Sequence, residues 1–227
     1  MLQELAADLW VTERPLRFGG VELGTRMTVI RLAGGALFLH SPVALDAELR
    51  KELDALGQVR FAVGPNRFHH LYLGDYATAY PDIALFAAPG LETKRKDLMW
   101  KGVLGDEAPP GWSDEIEQIF FRGFPLANEV EFFHPASRTL IVSDLAFNVG
   151  KEASAMARLA FRMLGSYERF GPSILERVLI RDRAAARSSL ERILEWDFDR
   201  VILAHGQVRE NAGRDGLRAG YAWLLGS

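Results

Sequence analysis

Apolar and polar positions follow two different rhythms along the chain. The first half is built of short apolar runs separated by turn-forming residues. "MTVIRL" (27–32) and "ALFLH" (36–40) flank Gly34-Gly35, a pair that tolerates the positive φ angles of a tight hairpin, so two paired strands are predicted there. Ser41 and Pro42 mark a helix start, Leu45, Leu49, Leu53 and Leu56 fall at helical spacing, and Gly57 closes the element. "VRFAVG" (59–64) reads as a strand, and "NRFHHLYLGD" (66–75) as the beginning of a helix carrying Leu71, Tyr72 and Tyr76. "IALFAAPG" (83–90) is a further strand, and residues 91–99 a short helix.

The loop "GDEAPPGW" (105–112) interrupts this alternation. Three strands follow in close succession, in "IEQIFFRGF", "EVEFFHP" and "TLIVSDLAF". The rhythm then becomes helical: Met156, Leu159, Ala160, Met163 and Leu164 share one face, and so do Ala186, Leu190, Ile193 and Leu194. "RVILAHG" (200–206) is a last strand, and the terminal helix after it is weakened by Gly213, Gly216 and Gly220. Two batches of strands, each followed by helices, predict two sheets covered on the outside by helices, in one domain over residues 1–227. A doubly wound nucleotide-binding fold is the competing architecture, but no Gly-rich phosphate loop follows any strand.

Composition narrows the functional classes. A chain of 227 residues with 48% hydrophobic and 25% charged positions can bury a substantial core. A net charge of -3 gives no field that would draw it to nucleic acid or to an anionic membrane, and Lys94, Arg95 and Lys96 read as a solvated helix face. With no cysteine, disulfides, thiolate catalysis and Cys-based zinc sites are excluded. The N-terminal stretch has acidic residues at Glu4, Asp8 and Glu13 and lacks the regions of a signal peptide, so a cytoplasmic location is expected.

Three predicted strand ends present polar groups directly after apolar runs: "VRFAVGPNRFHH", "LIVSDLAF" and "VILAHG". Sites of layered folds gather where such ends converge on a rigid scaffold. His69, His70, Asp144 and His205 would bring three imidazoles and a carboxylate together, a ligand set suited to zinc or a similar divalent ion. Adjacent helix residues point about 100° apart, so His69 and His70 can share an ion only at an irregular turn or a helix start; otherwise one packs and the other caps. Asp144 has loop capping as its other role. His205 precedes Gly206, which permits a sharp turn that exposes the ring.

These residues resemble the metallo-β-lactamase superfamily, whose order of elements matches nearly the whole chain. Members carry H-x-H-x-D-H after a strand, a G-H loop, an aspartate at the end of the next strand, and H-G after a final apolar strand. "PNRFHH" stands at the first motif, "RGFPLANEVEFF" at the G-H loop, "LIVSDLAF" at the aspartate and "VILAHG" at the last histidine. The last two matches are good and the first two degenerate, a form similar to a divergent branch described only as a domain of unknown function. The resemblance implies a four-layer αββα sandwich, an α/β (α+β) fold.

It also sorts the departures by metal. The private ligands of one ion fall on Pro65, Arg67 and Phe124, so that site is lost; those of the other fall on His69, His70 and His205, with the shared aspartate at Asp144. The implied function is a metal-dependent hydrolase with at most one divalent ion, zinc first and iron or manganese after it. Hydroxide on the ion would attack a small carbonyl or phosphoryl substrate, with Asp144 as ligand and proton acceptor. Arg67, standing where an ion is lost, would hold an anionic substrate or face outward from its loop. The alternative is a non-catalytic binding or regulatory module without metal. His40 is a neighbour of the site or an ordinary core histidine, Asp75 a solvent-facing residue, and His134 belongs to a distant hairpin turn.

Overall fold

The computed structural model describes residues 1–226. The chain opens with two strands that the apolar pattern did not single out, β1 (Gln3–Ala6) and β2 (Leu9–Arg14), followed by a small hairpin of β3 (Arg17–Phe18) and β4 (Val21–Glu22). The expected hairpin is present as β5 (Thr25–Arg31) and β6 (Ala36–His40). Helix α1 (Ala47–Leu56) starts later than Ser41-Pro42 suggested, because Asp46 is its cap: the carboxylate accepts from the Leu49 amide. Next come β7 (Gln58–Gly64), α2 (Leu73–Ala79), β8 (Ala84–Ala87), α3 (Leu91–Lys94) and β9 (Trp100–Val103). Only the first turn of the helix expected over 91–99 forms, and the chain re-enters the sheet at Trp100.

These seven longer strands make one sheet in the order β1-β2-β5-β6-β7-β8-β9. Pairing is antiparallel up to β6 and parallel from β6 to β9, where helices provide the crossovers. The second sheet is β10 (Glu117–Phe120), β11 (Val130–His134), β12 (Thr139–Ile141) and β13 (Arg200–Ile202), in that order. Its last pair is parallel because α4 (Ala155–Met163), α5 (Ile174–Leu179) and α6 (Arg183–Ile193) intervene. Helices α7 (Gly213–Gly220) and α8 (Ala222–Leu225) end the chain.

Three apolar clusters fix the layers. Val63 and Phe86 of the large sheet meet Phe132, Ile141 and Ile202 of the small one, with Trp112 of the "PPGW" loop packed among them. Leu49, Leu53, Leu73 and Tyr76 of α1 and α2 cover the outer face of the large sheet. Ala186, Leu190, Leu217 and Tyr221 cover that of the small sheet. The molecule is thus the expected αββα sandwich, with strand ends from both sheets opening along one edge.

One expected face is turned. Met156, Leu159 and Met163 of α4 are 58%, 57% and 71% exposed, and it is Ala157 and Phe161 that are buried, against Val149 and the small hairpin. The cause is position: α4 lies on the β3–β4 hairpin and not on a sheet, so only a narrow stripe finds a partner.

Candidate metal centre

His69 and His70 do not begin a helix. Asn66, fully buried, accepts from the amides of Phe68 and His69 at 2.8 Å each and folds the chain into a tight turn ahead of α2. That turn separates the two rings. His69 enters the space between the sheets, with Nε2 3.5 Å from Asp144 Oδ2 and Nδ1 2.8 Å from the Ser41 hydroxyl. His70 stays outside this cluster, on the wall of the adjoining cavity: Arg95 approaches its Nδ1 at 3.1 Å and donates to its carbonyl at 2.8 Å. Burial, then Lys94 and Arg95, lowers the His70 pKa to about 4.

Asp144 follows β12 on a backbone turn held by Glu129. The buried Glu129 carboxylate accepts the amides of Ser143, Asp144 and Leu145, at 2.6, 2.9 and 3.3 Å. Asn66 closes the arrangement by donating 2.7 Å to Asp144 Oδ2 and 3.0 Å to Glu129 Oε2. Burial disfavours charge on Asp144, yet His69, His205 and the Asn66 amide together hold its carboxyl below the usual range. Burial and the Asp144 charge push Glu129 up to about 7. For His69 burial works against protonation, and the neighbouring Asp144 outweighs it and raises the pKa.

His205 comes from the loop after β13. Its Nδ1 donates 2.8 Å to the Gly24 carbonyl, and its Nε2 lies 3.7 Å from Asp144 Oδ1. Two features hold that loop. Gly206 takes φ +82°, and a Cβ there would stand 2.3 Å from the Asn148 carbonyl oxygen, so only glycine fits. The buried Arg26 side chain donates to the carbonyls of Leu203 and Gly206 on either side of the histidine. Burial, then the neighbouring His69, lowers the His205 pKa to about 4.

One ligand atom from each of His69, Asp144 and His205 lies within 4.8 Å of the others. Two ligand atoms of a tetrahedral zinc ion stand about 3.4 Å apart; each histidine faces its own oxygen of the Asp144 carboxylate at a similar distance, His69 Nε2 at 3.5 Å from Oδ2 and His205 Nε2 at 3.7 Å from Oδ1. Among the four residues assigned to the metal from sequence, the structure brings these three together and leaves His70 outside. The Arg67 guanidinium donates to the Pro125 carbonyl at 3.2 Å and packs toward Gly90, and it is absent from the lining of the cavity that opens on the centre. Sequence offered Arg67 as a substrate anchor or an outward-facing loop residue; its guanidinium lies on the Pro125 carbonyl, away from the centre. His40 is buried beneath the centre against Phe132, its pKa lowered to about 3 by burial and by His69. His134 caps a distant hairpin, bonded to Ser137.

Asn66, Glu129, Ser41 and Arg26 were not read from the sequence as site residues. Asn66 was detectable as an Asx-turn former directly ahead of the histidines. Glu129 had a weaker signal, an acid interrupting the apolar register of "EVEFF". Ser41 and Arg26 gave none, since their contacts span 28 and 177 positions.

Solved structures share this arrangement of layers. The DIM-1 metallo-β-lactamase exposed to ceftazidime superposes with a TM-score of 0.67 at 15% identity, over 97% of this chain and 95% of that one. A metallo-β-lactamase from Pontibacter korlensis gives 0.65 at 12% identity, over 100% and 99%. The metal-soaked Flv1 flavodiiron core from Synechocystis sp. PCC6803 gives 0.70 at 14% identity, over 99% of this chain and 60% of that one. No curated protein matches the chain in sequence. The model of a domain of unknown function, DUF4336, matches residues 7–167, and the chain therefore belongs to that family, here in a metallo-β-lactamase fold.

Proposed function

We propose that this protein is a metal-dependent hydrolase that holds one divalent ion between His69, Asp144 and His205. The observation that carries the reading is the orientation of His205. A carbonyl oxygen can only accept, so the hydrogen of the ring sits on Nδ1 toward Gly24, and the Nε2 lone pair of the neutral ring faces an Asp144 oxygen. Two facing acceptors need a proton or a metal cation between them, and burial beside His69 disfavours the doubly protonated ring. Histidines that bind metals are oriented in this way, the far nitrogen donating to a backbone carbonyl or carboxylate.

When bound, the ion would supply Lewis acidity and lower the pKa of a coordinated water, which three protein ligands leave room for. The chain's own residues do the positioning. Asn66 fixes Asp144 through its amide, Ser41 fixes the far side of His69, and Glu129 secures the backbone of the Asp144 turn. A carbonyl or phosphoryl group of the substrate would lie in the adjoining cavity, over Asp144.

Metal content per chain tests this directly, on protein purified without a metal-affinity tag. About one divalent ion per chain is expected in the wild type, and none in His205→Ala. No ion in either, after incubation with zinc, manganese and iron(II), would refute the hydrolase and favour a binding module.

A further inference from the structure

The cavity beside the centre has a volume of about 460 Å³ and reaches from His69, Asp144 and His205 to the surface. Its wall is mostly apolar: Phe124, Phe147, Phe161, Leu164 and Leu179 line it. Its mouth is apolar as well. Phe68, Leu71, Leu126 and Leu175 line the cavity and are still 40%, 54%, 47% and 46% exposed. A small polar substrate gains nothing from such a wall, and water-exposed leucines around an opening are costly unless a ligand covers them. We infer that the substrate is a straight-chain acyl compound, its tail lying between Phe161, Leu164 and Leu175 and its carbonyl at the His69–Asp144–His205 end.

Size decides against a protein segment as occupant. A helix of about 10–12 Å diameter fills roughly 500 Å³ per turn, so the cavity would take a single turn. Helix-in-groove recognition needs anchors spread over two or more turns, whereas 460 Å³ lies within the usual range for a small-molecule pocket. Beyond the centre itself, Arg17, Lys94 and Glu176 are the charged side chains of the lining, Lys94 donates to the Arg67 carbonyl, and Arg67 itself faces Pro125, so charge is confined to a few positions of a mostly apolar wall. The reactive end of this inference rests on the hydrolase reading. There, oxygen from water would bond to the acyl carbon, the acyl–oxygen bond would break, and the departing alkoxide would take the proton, giving acid and alcohol.

Tail binding is measurable without chemistry. Uncharged 1-alkanols from four to ten carbons, displacing a polarity-sensitive dye in the presence of chelator, should bind about fourfold more tightly per added methylene. Ala160→Trp, which fills the cavity, should abolish the gain. Leu71→Glu and Leu175→Glu at the exposed mouth should weaken the longest alcohol by tenfold or more, and they serve if the Trp variant does not fold. Val178→Glu, on the outer side of α5 and 71% exposed, should change nothing. Affinity independent of chain length, or a loss in Val178→Glu equal to that in Leu175→Glu, would overturn the inference. A chain-length gain without any metal uptake would support the apolar ligand while removing the hydrolase. Metal uptake with a flat series would do the reverse.

Discussion

Asn66 is where two adjacent histidines acquire different roles. Its side chain makes the turn that sends His69 inward and His70 to Arg95, and its amide holds Asp144. The two rings should therefore respond differently to removal. His69→Ala is expected to abolish metal binding, and His70→Ala to leave the stoichiometry at one, as metal analysis of the two variants would show; loss in both would mean that His70 swings into the centre. Asn66→Ala removes two bonds accepted from backbone amides and two donated to the Asp144 and Glu129 carboxylates. A cost of about 1–3 kcal/mol in unfolding free energy is expected, read by denaturant titration. None of this orientation was legible at the residue level in the sequence. Periodicity can say that neighbours diverge, but the choice of which histidine faces the centre belongs to a side-chain-to-backbone turn.

Elements were more legible than residues, and the exceptions have physical causes. The strand-helix alternation from β5 to β8 could be read because each segment has one apolar face and a clear stop. β1 and β2 escaped because "MLQELAADLWVTER" mixes acids with apolar residues, and its pairing with β5 is settled only on folding. In α4 the apolar stripe was real and its partner was misjudged, since a helical period states which residues share a face and not what that face meets. The loop after β13 is the element on which the centre depends most. Gly206→Ala would place a Cβ 2.3 Å from a backbone oxygen at a positive φ, so loss of several kcal/mol and of metal affinity is expected, measured by thermal unfolding and metal titration. Gly34→Ala, with open space around it, should be nearly neutral and is the control.

At the scale of the whole molecule, the buried histidines tie stability to pH. His40 has a folded pKa of about 3 against an ordinary 6.5. Its unfolded form binds the extra proton first, so the folded state keeps its full stability above pH 6.5 and loses it as the pH falls toward 3. In chelator, wild type should lose up to about 1.4 kcal/mol per pH unit more than His40→Gln between pH 6 and 4; parallel curves would show that His40 does not titrate this way. No described helix is long and apolar enough to cross a membrane.

By itself the sequence determined the strand-helix alternation from β5 to β8, the later strands β10 to β13, the two-sheet architecture and two of the strand-end residues, Asp144 and His205. Those features follow from local periodicity, from turn chemistry and from glycine, all of which act over a few positions. Only the tertiary structure decided that His69 completes the centre while His70 and Arg67 leave it, that Glu129 and Arg26 hold its loops, and that the cavity beside it is apolar. Each of these depends on contacts between segments far apart in the chain, such as Arg26 with Leu203 and Asn66 with Asp144, and packing fixes them only when both sheets are in place.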